Sequence, residues 1–169
     1  MALAVAAGLE VTAIHVDHGL RPGSELEADV VVGAAQDIGA AVETTRVHIE
    51  PGPNLEARAR AARYAALPPD VCTGHTADDR AETALINLLR GAGIDGLVGM
   101  RLVGGPSGAI RHPILGLRRS DTEAVCDRLG WTPVRDPSNA DMSLVRNRVR
   151  HDLVPLMNEI AGRDLVPII

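Results

Sequence analysis

With 169 residues, 46% of them hydrophobic, the chain is long enough for one domain with a buried core, or one domain and a tail. There is no Phe, and Tyr64 and Trp131 are the only aromatics, which excludes a row of stacking aromatics for single-stranded nucleic acid. A net charge of −5 excludes a general polyanion binder, and two cysteines make no disulfide framework.

Residues 2–8, rich in Ala and Leu, read as the tail of a helix. The β-branched run at 11–16 reads as a buried strand. Asp17, His18 and Arg21 lie in the loop that follows, "DHGLRPGS", where glycines suit a close approach to a ligand. Ser24 and Glu27 form a capping box, and Leu26, Val30, Val31 and Ile38 give a helical stripe to about residue 40. A second strand spans 41–49, and a turn-rich linker leads to a helix capped by Asn54 and stopped at Pro68-Pro69. On that helix Arg60 and Arg63 share a face.

A short third strand at 71–74 leads to "TGHTADDRAET". Thr76 caps a helix that Gly91 ends, with Leu85, Leu88 and Leu89 as its inner face. Asp78 and Asp79 open this helix, and Glu82 shares a face with Asp79. Three acids this close need an offsetting cation: a nearby arginine, Mg²⁺ or a cationic group of a substrate. Two extended pieces then flank a Gly-Gly-Pro-Ser-Gly turn. A capping box at Ser120 and Glu123 starts a helix that stops at Gly130. The last helix covers 143–160, with a kink expected at Pro155. Arg146 and Arg150 on it are like-charged neighbours that a phosphate, or pairing with Asp141, Asp152 or other acids, would compensate.

Strands alternating with helices predict an α/β domain with a mainly parallel sheet flanked by helices. Ligands bind beyond the carboxyl ends of such strands. Neither Cys72 with His75 nor His15 with His18 has a second half that completes a zinc site. The lack of a signal peptide or of any apolar run of about 18 residues leads to the expectation of a cytoplasmic protein with no membrane association.

Jointly, "IHVDHGLRPGS", "NLEARARAARY", "TGHTADDRAETALINLLRGAGIDGLVGM", "RHPIL" and "DPSNADMSLVRNRVRHDLVPLMNEI" resemble the N-terminal catalytic domain of bacterial tRNA(Ile)-lysidine synthetases. These belong to the PP-loop, or N-type, ATP pyrophosphatases, with a Rossmann-like (adenine nucleotide alpha hydrolase-like) fold. The resemblance implies a PP-loop-type domain over 1–140 and a C-terminal helix and tail over 141–169. It implies a ligase that uses ATP and Mg²⁺ to adenylate C2 of the wobble cytidine in the CAU anticodon of tRNA(Ile). The ε-amine of free L-lysine then displaces AMP. By motif position, Asp78, Asp79, Glu82 and Arg146 are the implied catalytic residues, with Asp78 near the metal. Asp79 and Glu82 would recognise lysine, with Arg60, Arg63 and Arg111 also binding substrate. Asp17, His18, Arg21, Gly74 and His75 would bind ATP.

The family's Ser-Gly-Gly-x-Asp-Ser loop, whose amides hold pyrophosphate, is not among these 169 residues. It would precede residues 2–8 together with the first strand. The expectation is therefore an N-terminally truncated domain, from a mis-called start codon or a trimmed chain, poorly active in adenylation. The alternatives are a non-catalytic nucleotide- or RNA-binding remnant and another PP-loop tRNA-modifying enzyme such as a 2-thiocytidine synthetase. The latter generally uses an iron–sulfur cluster, which Cys72 and Cys126 alone cannot ligate. Oligomeric state is left open by the sequence.

Overall fold

Two parallel strands organise the first part of the chain. A computed structural model describes residues 1–19, 23–50, 52–53, 55–104, 110–134 and 136–169. Arg21, Asn54 and most of the Gly-Gly-Pro-Ser-Gly turn lie outside the described residues. By packing, the chain divides into two units, Met1–Pro68 and Pro69–Ile169.

The first unit comprises α1 (Ala2–Ala6), β1 (Thr12–Asp17), α2 (Glu27–Asp37), β2 (Ala41–Arg46) and α3 (Leu55–Ala66). β1 and β2 pair in parallel, from Thr12 opposite Ala41 to Asp17 opposite Arg46. α2 packs against both strands, as a crossover helix between parallel strands must. Its start differs from the expected capping box. Gly23, at φ +84°, leads into a 3₁₀ turn, Ser24–Leu26, so Ser24 lies inside the turn and makes no cap hydrogen bond. The expected stripe is rotated too. Leu26 and Val30 are exposed, and Ala35 is the fully buried position.

The second unit comprises β3 (Val71–Cys72), α4 (Ala77–Leu89), α5 (Ile94–Leu97), β4 (Val103–Gly104), β5 (Ile110–Arg111), α6 (Arg119–Leu129), α7 (Val145–Arg148) and α8 (Val154–Ala161). β5 is central, parallel to β3 and antiparallel to β4. Both parallel pairs agree with the expected α/β class. α4 ends as read from the sequence, at Gly91 with φ +76°. Its inner face is different. Ala77, Ala81, Glu82, Leu85 and Ile86 are buried, while Leu88 and Leu89 are exposed.

α7 and α8 are joined by a π-helical turn, Val149–Leu153, in place of a simple kink at Pro155. Pro155 has no N–H to donate, and an i→i+5 turn before it accommodates the lost bond. The turn delivers Val149, 2% exposed, onto Leu85 and Ile86. Val154 and Ile169 join this cluster and a second one built on Ala77, Ala81 and Val166. The core is aliphatic throughout, as the composition requires. Among the described residues no helix is long and apolar enough to cross a membrane.

Gly99 tests the packing under α4. Its φ is +66°, and an added Cβ would stand 3.1 Å from the Arg80 carbonyl oxygen. Gly99→Ala should therefore cost about 1–2 kcal/mol of unfolding free energy, from the strained φ and the contact together. A urea midpoint equal to wild type would show that this backbone approach is unimportant.

Candidate functional site

Thr76 has extended backbone dihedrals and begins α4. Asp79 reaches back from the third helical position, its Oδ2 accepting the Thr76 amide at 2.8 Å and the Thr76 hydroxyl at 2.9 Å. One carboxylate oxygen is thereby committed to the cap. The other, Oδ1, faces Arg119 at 3.4 Å and Arg150 at 3.9 Å.

Asp78 is held from α6. Arg118 donates to both its oxygens, at 3.0 and 3.2 Å, and the Arg119 amide donates to Oδ2 at 2.7 Å. Arg118 also pairs with Asp164. α6 starts two residues earlier than Ser120 as cap would require, because Arg118 is the N-cap and Asp121 accepts its amide at 2.8 Å.

Glu82 is the most enclosed of the acids, 2% exposed. Its Oε1 accepts from Arg150 Nε at 2.7 Å and Arg119 Nη2 at 3.0 Å, and its Oε2 accepts from Arg150 Nη2 at 3.0 Å. Arg146 Nε stands 3.6 Å from Oε2, and its Nη2 donates to the Thr83 hydroxyl at 3.1 Å. Four acids, Asp78, Asp79, Glu82 and Asp164, thus meet four arginines, Arg118, Arg119, Arg146 and Arg150. The offsetting cations are protein side chains. Of the two compensations open to Arg150, a phosphate or an acid, the fold supplies an acid, Glu82.

Burial raises the Asp78 and Asp79 pKa values, but other effects outweigh it. For Asp78 these are the hydrogen bonds from Arg118 and the Arg119 amide. For Asp79 they are the Thr76 amide and hydroxyl, then the charges of Arg119 and His75. Both carboxyls end below the ordinary carboxylate value. The Glu82 hydrogen bonds hold the Arg150 pKa above its usual value.

Beside the cluster, Gly74 lies between Thr73 and His75. The Thr73 hydroxyl contacts Nδ1 of both His75 and His112 at 2.6 Å, and the two rings meet edge to face. Arg111 pairs with Asp70 at 3.3 Å on the surface. In the first unit, Asp17 Oδ1 accepts the Gly19 amide at 2.8 Å, and Arg46 lies 3.4 Å from Oδ2. The Gly19 hydrogen bond is the main reason that the Asp17 pKa falls below its ordinary value. His18, Gly19, Arg46 and His48 line a cleft of about 320 Å³ at the carboxyl ends of β1 and β2. Nδ1 of His18 is buried without a hydrogen-bond partner among the described residues, as is Nε2 of His15 on β1. Arg60 and Arg63 both lie over the Tyr64 ring, at 4.9 and 5.3 Å from its centroid.

The donor set around Asp78 does not fit a resident Mg²⁺. Both its oxygens already accept charged or amide N–H groups, and a second cation would face the Arg118 guanidinium. Among the described residues no group of three or more His, Cys, Asp or Glu is arranged to hold a metal.

The PP-loop domain pattern matches residues 1–157. The chain belongs to the PP-loop domain family. This PP-loop chain is 41% identical over 167 residues to a tRNA(Ile)-lysidine synthase of Nocardia farcinica, covering 95% of the chain and 52% of that relative. A tRNA(Ile)-lysidine synthase of Mycolicibacterium paratuberculosis is 43% identical over 169 residues, covering 96% and 52%. One of Streptomyces coelicolor is 39% identical over 168 residues, covering 94% and 48%. The chain spans about half the length of the curated relatives it matches. Among solved structures, the U34-tRNA thiolase NcsA from Methanococcus maripaludis with its [4Fe-4S] cluster superposes with a TM-score of 0.66 at 15% identity, over 94% of this chain and 60% of that one. That likeness shows the adenine nucleotide alpha hydrolase-like fold.

Arg118, Arg119, His112 and Asp164 were not among the residues singled out from the sequence. A signal for the arginines existed. Two consecutive cations stand at the start of α6, where the helix dipole disfavours positive charge unless acids oppose it.

Two outcomes test the cluster. Arg150→Met leaves the enclosed Glu82 short of its main partner and should destabilise the fold by about 3–5 kcal/mol. A loss under about 1 kcal/mol would mean that Glu82 is solvated in solution. Because the Asp78 and Asp79 pKa values are lowered by folding, their contribution is present above about pH 4 and is lost as pH falls through the depressed values. Unfolding free energy should therefore drop between pH 5 and 2, and less steeply in Asp78→Asn, as read by urea denaturation at each pH. Equal slopes would contradict the pairing.

Proposed function

We propose that this chain is the ATP-using part of a tRNA(Ile)-lysidine synthase. The reaction is ligation of free L-lysine to C2 of the wobble cytidine in the CAU anticodon of tRNA(Ile). It passes through an adenylated cytidine and releases AMP and pyrophosphate. One observation carries the reading. Asp79 and Glu82 converge on a single cationic nitrogen, in a chain about two-fifths identical over nearly its whole length to relatives of that name.

In this reading Asp79 Oδ1 and Glu82 Oε1 bind the lysine ammonium. The buried acid pair orients the amine and keeps water from competing with it. Arg146, 39% exposed in its side chain, is free to turn from Thr83 toward a phosphate. The cleft at Gly19 and Arg46, with the unpartnered His18 Nδ1, suits a polar nucleotide. Gly74 allows a close approach, since a Cβ there would meet nothing within 4 Å. Mg²⁺ enters only with the ATP phosphates and not as an ion held by Asp78.

The test is ATP–pyrophosphate exchange with tRNA(Ile), followed by incorporation of labelled lysine. Both should depend on the CAU anticodon. Exchange without tRNA, or tRNA-dependent exchange with no incorporation of lysine, would sink the reading. Glu82→Gln and Asp79→Asn should raise the lysine KM by about tenfold or more, leaving the ATP KM within about twofold. Arg146→Ala should instead impair ATP or tRNA use. A wild-type lysine KM in both acid variants removes their role.

A further inference from the structure

Arg119 differs from the other three arginines of the cluster. Arg118 forks across Asp78, Arg150 forks across Glu82, and Arg146 is shared with Thr83. Arg119 uses one nitrogen, Nη2, to touch two acids, at 3.4 Å to Asp79 Oδ1 and 3.0 Å to Glu82 Oε1. A single positive nitrogen about 3 Å from two carboxylates is what an alkylammonium presents. The backbone of Arg119 is fixed independently, by its amide to Asp78 at 2.7 Å and its carbonyl to the Thr122 hydroxyl at 2.7 Å. Its side chain, 31% exposed, can leave without unseating α6.

Charge decides what can take its place. The four acids and four arginines balance, so withdrawing the Arg119 guanidinium leaves one uncompensated negative charge beside the enclosed Glu82. A neutral molecule entering there would strand that charge, and a monocation would restore the balance.

We infer that Arg119 is the resident cation of the amine seat and that only a cationic amine displaces it, which makes Arg119 a specificity-determining residue. The inference rests on the lysine reading of Asp79 and Glu82. Arg119 acts as a tethered competitor. It keeps the acids paired when the seat holds no substrate and sets the fraction of molecules ready to accept an amine.

Equilibrium dialysis of labelled L-lysine against the 169-residue chain, wild type and Arg119→Gln, tests this. Folding of the variant is checked by circular dichroism. Arg119→Gln should bind lysine about tenfold more tightly than wild type. Added methylguanidinium should compete with lysine in the variant far better than in wild type. Equal or weaker lysine binding in a folded Arg119→Gln, with binding abolished by Glu82→Gln, overturns the inference and leaves the lysine site standing. Lysine binding by no form, or binding indifferent to Glu82→Gln, overturns the lysine reading itself. A second measurement needs no variant. In wild-type chain labelled at arginine Nε, lysine should shift the Arg119 Nε–H resonance at the concentrations at which it binds, and norleucine should not. An unmoved resonance at saturating lysine, or an equal shift with norleucine, also overturns the inference.

Discussion

Burial of the Glu82 carboxylate is the constraint on which the second unit depends. An isolated carboxylate taken out of water costs several kcal/mol, so its two oxygens must be met by cations with good geometry. Those cations come from two places far apart in sequence, Arg119 at the start of α6 and Arg150 in the π-turn, with Arg146 alongside. The chain beyond residue 140 is therefore bound to α4 electrostatically as well as through Val149 and Val154. The π-turn serves both attachments. Val149 and Arg150 are consecutive, yet one packs on Leu85 and the other reaches Glu82 on the same helix. A wider turn brings successive side chains closer in angle than an α-helix does.

The acids that look alike in sequence do different work because their surroundings differ. Asp79 spends one oxygen on capping its own helix and keeps one for the site. Asp78 is absorbed by a forked arginine and an amide, which fixes the register of α6 against α4. Glu82 has no backbone partner among the described residues and is held by guanidinium groups. A cluster built this way already holds its cation, since Arg119 occupies the space between Asp79 and Glu82.

The parts legible in the sequence were those with local causes. The β-branched run of β1, the cap at Thr76, the left-handed Gly91 and the pairing of Asp79 with Glu82 on one face each follow from a few adjacent residues. The inner face of α4 was misread in part: Leu85 is buried with Val149 as expected, but Ala77 and Ala81, packed with Val166, take the rest of the face in place of Leu88 and Leu89. The start of α6 was misplaced because Arg118 with Asp121 offers the same spacing as Ser120 with Glu123, and the choice was made by Asp78 some forty residues away. The arginine partners of the acids stayed hidden for that same reason. A sequence shows a charge but not which distant opposite charge the fold brings to it. The family resemblance singled out Asp78, Asp79 and Glu82, while the arginines that now pair with them came only from three-dimensional structure.

The most direct measurement is a double-mutant cycle between Glu82 and Arg150, using Glu82→Gln, Arg150→Met and the pair, with unfolding free energies from urea titration. If one buried carboxylate holds α4 to the C-terminal helix, the coupling is about 2 kcal/mol or more, and the double variant is less damaged than the sum of the singles. Additivity within about 0.3 kcal/mol would contradict the account, because the two groups would then contribute independently and Glu82 would not be the centre of the cluster.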